Sequence, residues 1–434
     1  MPSNKINNRW IEKDRKFIWH PFTQTKEVKK FPPILIEKAN GMQLFDQDGK
    51  SYYDVISSWW CNLHGHNHRE IKNAIKAQLD QLEHVLFAGF THKPAIMLAE
   101  KLIALAPGKL SKVFFSDNGS TAVEIALKMS FQYWQNTGKA KKKRFVSLGN
   151  AYHGDTVGTM SVSGVDLFNR IFSPLFFPSF KVPSPYCYRC PMRKKRQNCR
   201  MDCIRPLEKL LETKAQEISA IILEPLLMGS GGMIIYPKEY LARVGKLAKK
   251  FKVHLILDEV ATGFGRTGKM FACEHVPGIE PDFLCLSKGI TGGYMAFTAT
   301  LTTEKIFSAF DIFYHGHTYT ANPLACAAAL ANLKVFQKEQ TLKKINKIIP
   351  YFHQQLEKFR VLPQVADLRY IGLIAAIELK GRGRLGQKVY KQGLKQGLLL
   401  RPLGNITYFF LPLCVKKREL DTILKKAYAI IGRI

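Results

Sequence analysis

No stretch of the sequence approaches the about twenty consecutive apolar residues that span a bilayer. The first sixteen residues, MPSNKINNRWIEKDRK, lack the apolar core of a secretory signal. A membrane protein is not expected, and a cytoplasmic location is. No internal repeat and no low-complexity linker interrupts the chain. Acid is scarce: 34 Asp and Glu stand against 65 Lys and Arg, a net charge of +31. Basic runs at 139–144 and 193–200 raise nucleic acid as a partner. Yet there is no zinc-finger, RRM or helix-turn-helix signature to read bases, and charge alone gives only non-specific binding. Specific nucleic-acid recognition is therefore not expected, and the spread lysines read as a solvated basic surface.

Nine cysteines, most of them scattered singly, suit a reducing compartment. One group differs, because Cys187, Cys190, Cys199 and Cys203 form a C-x2-C-x8-C-x3-C pattern. Four thiolates so spaced could hold zinc. The other reading is an insertion, about 184–204, whose cysteines pack or stay free.

What is present is an alternation of apolar runs and helical patterns, within 434 residues that can bury a large core. KVFFSDNGSTAVEIALKM, RFVSLGNAYHGDT, SAIILEPLLMGSGG, VHLILDEVATGFGRTG and FLCLSKGITGG each open on a short unbroken apolar strand. Such strands separated by helices indicate an α/β fold with a mainly parallel sheet covered on both faces. The flanks differ. Residues 31–56 place Asn40-Gly41 and Asp48-Gly49 turns between alternating strands, an antiparallel meander. The C-terminal hundred residues mix amphipathic helices with short strands. The expected organisation is 1–56 and 336–434 forming one small α+β domain, with 57–335 as the large domain.

Ligands of open parallel sheets bind beyond the carboxyl ends of the strands. Asp258 follows VHLIL there, Lys288 follows FLCLS, and Gly119-Ser120 opens the helix after VFF. A glycine and a serine at a helix N-terminus offer N–H groups and a hydroxyl to phosphate. A carboxylate at the end of a buried strand is costly unless it pairs with a cation, such as a protonated pyridine nitrogen. A lysine on a rigid strand end, with a lowered pKa, can form a Schiff base. Together these meet the three needs of pyridoxal 5'-phosphate (PLP). Gly289 and Gly292-Gly293 are expected to give the backbone room near a flat cofactor.

LILDEVATGFGRTGKMFACEH followed by PDFLCLSKGITGGY resembles the signature of class III aminotransferases, a subgroup of fold-type I PLP enzymes. WHPFTQ, SSWWCNLHGHNH, NAYHGDT, HGHTYTANPLACAAAL and RPLGN are similar to the branch of that family that serves biotin synthesis, and the likeness runs from about Trp19 into the C-terminal region. The resemblance implies that Lys288 holds PLP and shuttles a proton, Asp258 binds the pyridine nitrogen, and Tyr152 stacks on the ring. It implies Gly119 and Ser120 for the phosphate, with His317 and Thr318 reaching the phosphate of the other subunit of a homodimer. Trp59, Trp60, Arg401 and Gly316 would line the substrate pocket, Arg401 forking onto a carboxylate. Arg266 and Asp155 would support these groups. The family gives no metal a role in the site.

The reaction so implied is a ping-pong transfer from an amino donor to 8-amino-7-oxononanoate, giving 7,8-diaminononanoate. S-adenosylmethionine is the expected donor. Phe22 and His317 depart from the tyrosine and proline common in the branch, which leaves lysine as an alternative donor. Another class III ω-amino acid aminotransferase would share Lys288 and Asp258 but would not need Trp59-Trp60 or HPFTQ.

Overall fold

Strands in which every residue is buried run through the middle of the molecule. The structure, a computed structural model, describes residues 3–28 and 30–434. Met1, Pro2 and Lys29 of the expected 1–56 segment lie outside the described residues. The large sheet has seven strands: β1 (Leu110–Ser116), β2 (Arg144–Leu148), β3 (Phe180–Val182), β4 (Ile218–Leu223), β5 (His254–Asp258), β6 (Phe283–Leu286) and β7 (Thr298–Thr303). Their order is β1-β7-β6-β5-β4-β2-β3. β7 is antiparallel to both neighbours, and all other pairs are parallel. The fold is the expected α/β architecture with a mainly parallel sheet. Because β7 alone is reversed, β1, β2, β4, β5 and β6 all end at the same edge.

Alternation explains why both faces are covered. Ala220, Ile222, Ile256, Phe283 and Cys285 pack under the Gly119–Asn136 helix. Ile221, Leu223, Leu255, Leu257, Leu284 and Leu286 point to the opposite face and join the main core. Each Leu, Ile or Phe among them contributes about 1.5–3 kcal/mol through burial, so the strand ends are held by a rigid base.

One buried polar group on this base has a measurable consequence. His254 opens β5, with Nδ1 2.8 Å from Ser130 Oγ and its ring stacked on Trp134 at 4.5 Å. Burial pushes its pKa down to about 3, and that of buried His64 likewise. These histidines stay neutral in the fold but protonate once unfolded, near the ordinary value of 6.5. Their stabilisation is therefore complete above pH 6.5 and is lost as pH falls toward 3. The unfolding temperature should drop between pH 6 and pH 4, and His254→Gln should show a shallower drop. Parallel curves for the two proteins would contradict this.

The flanking segments meet each other. Ile36–Asn40, Gln43–Asp46 and Ser51–Tyr53 form an antiparallel meander. A second antiparallel sheet orders Val365–Ile371, Ile374–Leu379, Ile406–Phe410 and Pro402–Leu403. Tyr53 N donates to Gly397 O at 2.8 Å, Leu399 N to Tyr53 O at 3.0 Å and Phe410 N to Val55 O at 2.8 Å. Helix Pro323–Lys338 carries the chain past residue 335 without a break.

The Cys-rich insertion is a loop with short 3-10 turns, tied down by Arg189 to Glu378 and by Lys194 and Arg205 to Asp202. Cys187, Cys190, Cys199 and Cys203 are free thiols. Among the described residues, no three His, Cys, Asp or Glu side chains form a metal-ligand set. No described helix is long and apolar enough to cross a membrane.

Candidate active site

At the common strand edge, β5 delivers Asp258 and the chain after β6 delivers Lys288. Asp258 is buried, and its Oδ2 lies 2.7 Å from His153 Nδ1 while Oδ1 accepts from Val260 N at 3.1 Å. His153 is itself buried, and its Nε2 has no partner. The cost of burying the carboxylate is thus offset by one imidazole and one backbone N–H, with acceptor capacity left over. Lys288 begins a short 3-10 turn, Lys288–Thr291, with Nζ 5.2 Å from the centre of the Trp60 ring. Burial pushes its ammonium below the ordinary pKa, and the nearby carboxylates of Asp258 and Glu224 oppose that shift. A less basic amine held against an aromatic floor is suited to nucleophilic attack and proton transfer.

The phosphate turn lies beside them. Asn118 caps helix Gly119–Asn136 by accepting from Thr121 N, and Thr121 Oγ1 accepts from Asn118 N in return. This leaves the N–H groups of Gly119 and Ser120 available to an anion. A Cβ on Gly119 would come within 2.7 Å of Val260 Cγ1, so only glycine lets this turn approach the residues after Asp258. Ser120 Oγ accepts from Asp155 N at 3.3 Å, which joins the turn to the Tyr152 loop.

Tyr152 is held at both ends. Its N donates to Glu224 Oε1 at 3.0 Å, and its hydroxyl donates to Asp155 Oδ2 at 2.9 Å. Burial, reinforced by Asp155, raises its phenol pKa. Glu224 directly follows β4, as Asp258 ends β5, and also accepts from Gly229 N at 2.9 Å. Its burial pushes its pKa up to about 7, and Asp258 adds to the rise while His153 opposes it. His153 and Glu224 were not among the expected site residues, although His153 stands inside NAYHGDT and Glu224 ends an apolar strand. The glycines after Lys288 do something other than expected. A Cβ on Gly289 would crowd Phe264 and Leu63, and one on Gly293 would meet the backbone of Asn62. They permit close packing of protein on protein rather than room for a flat ligand.

The structure separates the two tryptophans. Trp60 is 3% exposed, stacks on Phe410 at 5.1 Å and donates from Nε1 to Tyr408 Oη at 3.2 Å. Trp59 is 39% exposed and forms part of a cavity of about 1000 Å³ that Phe22, Leu167, Tyr390 and Arg401 also line. The Arg401 guanidinium carbon sits 4.0 Å over the Trp59 ring. The Phe22 ring lies 5.9 Å from Trp59 and 5.5 Å from Phe168.

An unusual backbone turn creates this split. Ser57, Ser58, Trp59 and Trp60 have φ of 51°, 47°, 80° and 74°. Left-handed L-residues cost about 1–2 kcal/mol each, so the turn persists only because its surroundings hold it. Arg266, fully buried, donates from Nη1 to Ser57 Oγ and Leu411 O, and from Nη2 to Trp60 O and Asn62 O, all within 3.0 Å. Burial without a paired carboxylate pulls its pKa down to about 9. On the other side Asp54 Oδ1 accepts from Ser58 N at 2.9 Å, while Oδ2 accepts from Ser58 Oγ at 2.6 Å and lies 2.9 Å from His66 Nε2.

The segment 316–318 stands at the rim. His317 Nδ1 lies 2.7 Å from Asp117 Oδ2 of its own chain, two residues before Gly119. A Cβ on Gly316 would meet nothing, and Tyr314 and Tyr319 on either side are 81% and 62% exposed.

A parallel sheet whose carboxyl edge gathers an amine of lowered basicity, a buried carboxylate and a capped helix N-terminus defines a fold-type I PLP-dependent transferase. The sequence profile described as aminotransferase class-III matches residues 23–431, and the chain belongs to that family. It is 46% identical over 429 residues to the adenosylmethionine-8-amino-7-oxononanoate aminotransferase of Geobacter sulfurreducens, covering 95% of this chain and 94% of the relative. The crystal structure of the enzyme of that name from Methanocaldococcus jannaschii superposes with a TM-score of 0.93 at 41% identity, covering 98% and 99% of the two chains. An (S)-enantioselective omega-transaminase from Thermomicrobium roseum gives 0.93 at 28% identity, with 98% of each chain covered. Class III aminotransferases depend on PLP, and PLP is the cofactor of this chain. The residues present fit it: Asp258 retains a free acceptor, burial lowers the basicity of Lys288, and the Gly119 and Ser120 N–H groups lack helical partners.

Proposed function

We propose that the chain transfers an amino group from S-adenosylmethionine to 8-amino-7-oxononanoate, giving 7,8-diaminononanoate for biotin synthesis. The single observation carrying this reading is the Trp59–Arg401 stack in the cavity wall, an aromatic surface beside a guanidinium without a carboxylate partner among the described residues. It suits a long aliphatic acid. The names of the relatives agree with it.

When bound, PLP supplies a ring that withdraws electrons from the substrate carbon. Lys288 would hold the cofactor through Nζ and move the proton at that atom. Asp258 would keep the pyridine nitrogen protonated, with His153 orienting the carboxylate. Gly119 and Ser120 would take the phosphate. Tyr152, anchored by Glu224 and Asp155, would cover the ring and exclude water from one face. Trp60 would serve as the floor under Lys288, and Trp59 and Arg401 would take the substrate chain and its carboxylate. Gly316, His317 and Thr318 would complete the site of a second copy, so the active form would be a homodimer in the cytoplasm. The exposed Tyr314 and Tyr319 beside an open Gly316 support that contact. The joined flanking sheets support a small domain made from 1–56 and 336–434 around the large domain 57–335.

Lysine as donor is the second reading, because Phe22 brings no hydroxyl to the cavity wall. A single-turnover comparison decides between them. The PLP-loaded protein should lose its visible cofactor band with S-adenosylmethionine and keep it with lysine. The reverse pattern would establish lysine, and no change with either would overturn the proposed substrate pair.

A further inference from the structure

Asp54 touches neither Lys288 nor the cavity, yet it is wholly buried and spends its carboxylate on one residue and one histidine. Both of its oxygens bind Ser58, and Oδ2 also meets His66. Ser58 is the second residue of the left-handed turn and immediately precedes Trp59. Arg266 grips the other side of the same turn through Ser57 and Trp60. The turn is thus held between a buried anion and a buried cation that do not pair with each other. The turn presents Ser58 and Trp59 to the cavity and places the Trp59 indole under Arg401.

Arg401 makes no hydrogen bond or ion pair with the described residues, and the indole at 4.0 Å is what orders it. A guanidinium stacked by its face keeps its N–H groups in one plane, with the edge open for a two-pronged contact with carboxylate. Without the platform, the side chain would spread over many rotamers, and ligand binding would have to order it.

We propose that Asp54 is a positioning residue for substrate recognition, holding the left-handed Ser57–Trp60 turn so that Trp59 presents the edge of Arg401 to a substrate carboxylate. This rests on the proposed role of Arg401 as the carboxylate site. Trp59 is then a platform for the arginine as well as a wall for the aliphatic chain. Asp54 does not line the cavity, whereas Ser58 does so beside Trp59.

The test uses the PLP-loaded protein and two probes of equal length, octanoate and 1-octanol, titrated calorimetrically. The visible cofactor band reports that each variant is folded and loaded. The unaltered protein should prefer octanoate. Asp54→Asn, which replaces the Oδ2 acceptor, should lose about tenfold in octanoate affinity with 1-octanol unchanged. Trp59→Leu removes part of the wall and should weaken both probes, but its ratio of octanoate to 1-octanol affinity should fall as far as in Asp54→Asn. Trp59→Phe, which keeps an aromatic platform, should recover most of the preference. If Asp54→Asn instead weakens both probes together, the pocket is merely loosened and the proposal is overturned. If the unaltered protein shows no preference for octanoate, the carboxylate role of Arg401 fails, and this inference with it. If the preference exists and Asp54→Asn retains it, the positioning role alone is overturned. Should Asp54→Asn lose the cofactor band, Ser58→Ala and Trp59→Leu decide: loss of preference in both supports the proposal, and retention in either overturns it.

Discussion

Lys288→Ala is expected to remove turnover, by on the order of 10⁴-fold or more, while leaving the fold and its melting temperature nearly unchanged. The size of the effect follows from where the amine stands. Nζ lies over the Trp60 ring at the strand edge, with Asp258 and Glu224 as the nearby carboxylates that act on it. Among the described residues, no other lysine is placed to replace it there. Lys142, also buried and pushed down to about 8, donates to Ala215 O and Ile218 O and sits over the Trp134 ring. The small structural effect follows from chemistry rather than tolerance. Removing a buried amine whose burial is costly, at a site open enough to admit a cofactor, takes away little that the core needs. Product formation measured by mass spectrometry, with circular dichroism as the structural control, checks both halves. An active alanine variant would remove the basis for assigning Lys288.

The second large effect is at Asp258. Asp258→Asn keeps the size of the side chain and a partner for His153, but it removes the negative charge at the end of β5. Turnover should fall by about 10²–10³-fold, the range seen when one group that stabilises developing charge is lost. His153→Phe should cost less, because it leaves the charge and loses only the 2.7 Å contact that orients it. Steady-state rates for the two variants should therefore rank Asp258→Asn below His153→Phe. Equal and small losses would mean that the carboxylate is a structural cap at the strand end.

Much of this was legible because burial leaves a strong trace in sequence. β4, β5 and β6 are mainly apolar and buried, and an ionisable residue ends β5 (Asp258), directly follows β4 (Glu224) or stands two positions past β6 (Lys288). That contrast marked Asp258 and Lys288 before any coordinates. The same rule applies to Glu224 after β4, yet its consequence, an anchor for the Tyr152 backbone, depends on two loops meeting. β7 leaves little trace, since threonine fills four of its six positions although all but the last residue are buried. Its hydroxyls are satisfied inside, as when Thr300 Oγ1 donates to Ala122 O at 2.8 Å.

The left-handed turn was beyond reach for a different reason. Serine and tryptophan carry no preference for positive φ, and four such residues in a row are held by Arg266 and Asp54 from 206 positions after and 4 positions before Trp60 and Ser58 respectively. Adjacent tryptophans therefore looked alike in sequence, and only the turn sends Trp60 into the core and Trp59 to the cavity. The glycines after Lys288 misled in the opposite direction. Glycine beside a reactive lysine suggests space for a ligand, but Gly289 and Gly293 lie against Phe264, Leu63 and Asn62.

The most direct measurement is to reduce the PLP-loaded protein with borohydride, digest it and weigh the peptides. The expected result is one phosphopyridoxyl mass, on the peptide that contains Lys288. The label on any other lysine, or on none, would contradict the assignment of Lys288 as the residue that holds the cofactor.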